Sequence, residues 1–135
     1  REARTGADGV YVLRGCEPRT ARVVASAKGR ATDMREVVVD EDLAPVDFRL
    51  PPGGTVRVRV LDEIGNPVPK ARIFFQRWRG RIDYFEFDHV GQYADEQGVW
   101  RWDEAPLDEF QADICRPEGM QLASRPLVAR AEEYV

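Results

Sequence analysis

The chain has one histidine, set in an acidic and aromatic run, Glu86-Phe87-Asp88-His89. Beside Asp88 and after Glu86, an imidazole could enter a metal site or an acid–base pair. A zinc peptidase centre needs three protein ligands, commonly two His and a Glu, and no second His exists to complete it. His89 therefore reads as a surface histidine next to a carboxylate. Ser26 and Ser124 lie in no Gly-x-Ser-x-Gly setting, and neither Cys16 nor Cys115 has a His near it in sequence, so no activated nucleophile is visible. Gly53-Gly54 lacks the Lys-Ser/Thr that would make a phosphate loop. Carboxylates gather at Asp40-Glu41-Asp42 and at Asp103-Glu104 with Asp108-Glu109, offering the oxygens that calcium prefers. Neither group follows an ordered calcium loop, and both read as solvated loop charge. The expectation is a non-catalytic chain, with no cofactor and no metal.

Binding is the more open possibility. The stretch from Trp78 to His89 carries Trp78, Arg81, Tyr84 and Glu86 close together. If Tyr84 to Asp88 is a strand, alternation puts Phe85 and Phe87 on the core face and Tyr84, Glu86 and Asp88 outside. Trp78 lies near the Gly80 bend, where partial exposure is expected. Trp78, Tyr84, Arg81 and Glu86 thus form a candidate ligand site, with rings to stack on sugars and charged groups to bond hydroxyls. Trp100 and Trp102 share one face of their own strand, with Arg101 opposite. A sandwich core calls for the same aromatic pattern, and core packing is the expectation for that pair.

The elements that would hold these residues are strands. Val56-Arg57-Val58-Arg59-Val60 alternates strictly, as a strand with one buried face should. Gly9–Leu13, Ala21–Ala25, Val37–Val39, Val46–Leu50, Ala71–Phe75, Tyr84–Phe87, Val99–Trp102 and Ala112–Cys115 have strand length and composition. Turn signals separate them, among them Asp62-Glu63-Ile64-Gly65-Asn66-Pro67 and Asp95-Glu96-Gln97-Gly98. Short strands divided by such turns predict an all-β antiparallel sandwich. Val56, Val58, Val60, Ile73, Phe75, Phe85, Phe87, Val99 and Ile114 are the predicted core.

Bulk properties agree with a globular module. Hydrophobic residues make up 43% and charged residues 33%, with mixed signs and a net charge of −4. Without a basic stripe, electrostatic nucleic-acid binding is not expected. No stretch approaches the length of a membrane span. The chain begins with Arg1 and carries no signal peptide, which reads as a piece cut from a longer protein. Cys16 and Cys115 are expected to be unbridged thiols, although spacing leaves a long-range disulfide open.

A boundary falls at Pro51-Pro52-Gly53-Gly54, where two prolines stiffen the joint and two glycines let it turn. The sides of that boundary resemble each other. Asp8-Gly9-Val10-Tyr11-Val12-Leu13 parallels Gln97-Gly98-Val99-Trp100-Arg101-Trp102, and Gly29 parallels Gly119, as in an internal repeat. Residues 1–54 lack a counterpart of the strands from Val56 to Phe75. Residues 55–135 lack one of the closing strand Val46–Leu50.

Thr55 to Ile73, with Asp62, Gly65 and Pro67-Val68 before the next strand, resembles the opening of a carboxypeptidase regulatory-like domain. Asp95-Glu96-Gln97-Gly98-Val99-Trp100 is similar to that family's Asp-x-x-Gly-x-aromatic turn. Thr5 to Leu13 resembles the same turn in a preceding copy, and Ala27-Lys28-Gly29-Arg30 resembles its Ala-x-Gly-aromatic step, with Arg30 in the aromatic's place. The resemblance implies a seven-stranded, Greek-key, transthyretin-like or immunoglobulin-like sandwich without catalytic residues, strung in tandem in extracytoplasmic proteins. On that reading, 1–54 is the C-terminal part of one module and 55–135 is a second module lacking its last strand. Its partners would be neighbouring domains or other proteins, with a glycan as the alternative. Intradiol dioxygenases also resemble the chain around Asp62–Ala71 and Asp95–Trp100, but their iron takes two Tyr and two His, which a single His89 cannot supply.

Overall fold

A computed structural model describes residues 2–85, 90–129 and 133–135, and of 81–85 and 133 the backbone alone. Every regular element in it is a strand: β1 Thr20–Ala27, β2 Arg30–Val38, β3 Gly54–Arg59, β4 Arg72–Trp78, β5 Arg81–Phe85, β6 Val99–Ala105, β7 Phe110–Cys115, β8 Gln121–Leu127 and β9 Glu133–Tyr134. They form a β1-β2 hairpin, a three-stranded sheet ordered β6-β3-β9 and a four-stranded sheet ordered β5-β4-β7-β8. The larger sheets pair antiparallel, except that β9 runs parallel to β3, with Arg57 opposite Glu133 and Val58 opposite Tyr134.

The chain divides into two compact units. One comprises 1–24 with 34–48, and the other 25–33 with 49–135. The hairpin tip joins the second unit through backbone bonds: Ala31 N–H donates to Pro51 O at 2.9 Å and Gly53 N–H to Gly29 O at 2.9 Å. Pro52 bridges Arg30 and Gly54 already opens β3, so the two glycines, neither with a positive φ, lie in extended chain rather than in a turn. Gly53 is there for close approach, since a Cβ on it would stand 2.6 Å from the Asp103 carbonyl of β6.

The second unit is held by a core between its two sheets. Val56 and Val58 of β3 are buried while Arg57 and Arg59 are exposed, as the alternation requires. Ile73, Phe75, Trp100, Trp102, Phe110 and Ile114 are buried with them. The Phe75 ring lies 5.8 Å from Trp100, 5.2 Å from Trp102 and 5.4 Å from Phe110, joining β4 and β7 of one sheet to β6 of the other. Tilted and edge-on rings at these separations add to the area they bury. Val99 is a correction, because it is only half-buried while Trp100 takes the core face. Phe87 and the side chain of Phe85 lie outside the described residues.

Among the described residues two predicted strands are absent. Gly9–Leu13 and Val46–Leu50 have no regular ladder, although both keep an alternation in burial, with Tyr11, Leu13, Val46, Phe48 and Leu50 half-buried. Tyr11 hydroxyl donates to Val46 O at 2.6 Å and ties the two segments together. Conversely, β8 and β9 lie where no strand is expected from the residues.

Both thiols are free, Cys16 exposed and Cys115 buried. No helix among the described residues is long and apolar enough to cross a membrane.

Candidate functional site

Trp78 is the one member of the predicted ligand set whose side chain is described, and it is 2% exposed rather than open to solvent. A β-bulge explains the difference. Register along β4 shifts between Phe75 and Arg77, so the extra residue carries Trp78 back to the core face and turns Arg77 out. Arg81 and Tyr84 lie on β5, paired to β4, with their side chains outside the described residues. Glu86 and His89 lie outside them altogether.

What the structure does assemble at this end is a carboxylate–guanidinium network. Trp78 pairs with Arg81 across the β4–β5 hairpin, leaving Arg79-Gly80 as a two-residue loop with φ of 50° and 74°. Such turns favour Asn-Gly, because both central residues need positive φ. Arginine at the first position is disfavoured on backbone grounds, and its side chain shows what is gained. Arg79 Nε and Nη2 donate to the two oxygens of Asp108 at 2.9 and 3.2 Å, in a forked pair. Nη1 donates to Asp33 of β2. The guanidinium lies 4.6 Å from the Trp78 ring centroid, and Trp78 Nε1–H donates to Asp108 at 3.0 Å.

Burial pushes the Asp108 carboxyl up, but the Arg79 hydrogen bonds and charge outweigh it and hold the group below its ordinary value. The Asp108 hydrogen bond, reinforced by Asp33, raises Arg79. These residues line a cleft of about 540 Å3 with Ala31, Thr32, Pro51 and Leu107. The guanidinium is committed to two carboxylates, so the cleft is built to clamp the hairpin tip and the β6–β7 loop on the end of β4. Nothing in it is arranged as a nucleophile with a base. The sequence signal for this cluster was Arg79-Gly80 itself, a short loop carrying an arginine where asparagine is preferred.

The acidic loops weighed for calcium and read as solvated charge make hydrogen bonds within the protein. Asp40 Oδ1 accepts from Asp42 N–H at 3.0 Å. Asp103 accepts from Arg101 at 2.7 Å and from the Thr55 hydroxyl at 3.1 Å, and Glu104 accepts from Gly29 N–H at 3.2 Å. Among the described residues no group of three or more His, Cys, Asp or Glu could hold a metal ion.

No family model, no curated protein and no solved structure matches this chain.

Proposed function

We infer that this chain is a non-catalytic structural and interaction module: a regulatory-like sandwich preceded by the C-terminal part of another, working within a larger extracytoplasmic protein. Seven strands in sheets of three and four, in the described part of the second unit, support the transthyretin-like or immunoglobulin-like reading. The extracytoplasmic setting rests on the resemblance at Thr55–Ile73 and Asp95–Trp100. Its partners are neighbouring domains or other proteins.

One observation carries the interaction reading. The first unit holds only the open end of the β1-β2 hairpin, 20–24 with 34–38, and exposes Val10 at 59%, Val12 at 59%, Val24 at 43%, Val38 at 60% and Leu43 at 41%. A two-stranded sheet is marginal alone, and apolar side chains gathered on so small a unit mark a surface that another chain segment covers. Sedimentation velocity over a concentration series, with binding of an apolar dye, tests this. The reading expects dye binding or self-association that the triple variant Val10→Asp, Val12→Asp, Val38→Asp abolishes. A monomer that binds no dye at any concentration would overturn it.

A further inference from the structure

The outward face of the four-stranded sheet holds a second cluster, remote in chemistry from the Arg79 network. Arg72 stands opposite Tyr93 on one side and Cys115 on the other, so these three share a face. Phe74, Asp113 and Ser124 form the next row across β4, β7 and β8. Outward residues of a sheet ordinarily meet water, yet Asp113 is 8% exposed, and its Oδ1 is buried with no hydrogen-bond partner. Arg72 Nε is buried and without a partner as well. Each such orphan costs stability unless something satisfies it. The Arg72 guanidinium lies over two rings, 4.3 Å from the Phe74 centroid and 5.5 Å from that of Tyr93. Tyr93 is 56% exposed.

We propose that this face, built on Arg72, Tyr93 and Asp113, binds a neutral saccharide. One orphaned acceptor and one orphaned donor stand on neighbouring rows, and their formal charges cancel, so neither an anion nor a cation is selected. A hydroxyl both donates and accepts, and vicinal hydroxyls present the two functions side by side. The exposed Tyr93 ring supplies the flat apolar surface against which the C–H face of a sugar rests. Gln111 and Ser124, bonded to each other at 2.6 Å, extend the polar surface. Arg72 can turn toward a ligand without breaking a hydrogen bond at Nε. This site goes beyond the interaction reading and shares no residue with the exposed valines of the first unit.

The test is amide chemical-shift mapping on the full chain titrated with cello-, xylo-, manno- and maltohexaose. The proposal expects at least one to shift the amides of Arg72, Phe74, Tyr93 and Gln111–Cys115 saturably, and Tyr93→Ala and Asp113→Asn each to weaken binding about tenfold. Tyr93→Ala removes an exposed ring, so its spectrum elsewhere should match the parent and separate lost binding from lost fold. Three results would overturn the proposal: no shift up to about 10 mM of any probe, shifts confined to the Asp33–Arg79–Asp108 cleft, or binding indifferent to both variants. The first would leave a trapped water as the partner of Asp113.

Discussion

Residues 6–10 and 95–99 fold into the same turn and then diverge. In the first, Gly6 N–H donates to Val10 O at 3.0 Å and Gly9 N–H to Gly6 O at 3.0 Å; in the second, Asp95 N–H donates to Val99 O at 2.8 Å and Gly98 N–H to Asp95 O at 3.0 Å. Gly9 and Gly98 have φ of 77° and 72°. An aspartate caps each turn, Asp8 bonding Val10 N–H at 3.0 Å and Asp95 bonding Gln97 and Val99 N–H at 2.8 and 2.9 Å. Yet Val99–Ala105 becomes a strand against β3, while among the described residues 10–13 has no ladder at all. The turn is local chemistry and forms wherever its residues stand. The strand needs a neighbour, and β3 supplies one only to the second copy.

Deletions in the two copies should therefore differ most where the neighbour matters most. Trp102→Ala removes a side chain 3% exposed that packs on Phe75 and Phe110, and should cost about 3–5 kcal/mol in denaturant unfolding. Leu13→Ala, at the matching position and half-buried, should cost under about 1 kcal/mol. Equal losses would mean that the first copy is as well packed as the second.

The paired glycines sharpen the contrast. A Cβ at Gly98 would meet Val60 O at 2.6 Å and Val68 N at 3.1 Å, whereas one at Gly9 would meet nothing within 4 Å. Gly98→Ala thus combines left-handed backbone strain with a clash, for about 2–5 kcal/mol, and Gly9→Ala carries the backbone share alone, about 1–2 kcal/mol. Thermal melts of the two variants would expose any error in this ranking. Capping comes next, where Asp95→Ala should cost about 1 kcal/mol and Asp8→Ala about half that.

The smallest effect is acid sensitivity at the Arg79 clamp. Since Asp108 is held below its ordinary value in the folded state, the stability it contributes is full above that ordinary value and is lost as pH falls through the lowered folded one. Asp108→Asn should flatten the acid limb of the stability profile of the second unit. An unchanged limb would show that the fork adds nothing in solution.

The same comparison explains how far the sequence could be read. The all-β class was legible because strict alternation at Val56–Val60 needs no tertiary knowledge. The facing of Trp100 and Trp102 followed from Arg101 between them. Nearness to the Gly80 bend suggests exposure for Trp78, but a bulge between Phe75 and Arg77, which no local signal announces, returns it to the core face. Gly9–Leu13 and Val46–Leu50 had the composition of strands without a ladder to join. The strand Gln121–Leu127 was hidden for the opposite reason: as an edge of the four-stranded sheet it carries Arg125 and Pro126, residues that suit an edge and blur any pattern. Arg72 and Asp113 are ordinary charged residues in sequence, and only the register across β4 and β7 brings their rows together.

The central claim is that the second unit completes its own core while the first presents an apolar surface for another segment to cover. Native-state hydrogen exchange on the full chain tests it directly. Amides of Gly54–Arg59, Val99–Ala105 and Phe110–Cys115 should exchange only through global opening, and those of Val10–Leu13 roughly 100-fold faster or more. Equal protection of Val10–Leu13 and Val99–Ala105 in the isolated chain would contradict the account, because it would mean that the first copy has already found its neighbour.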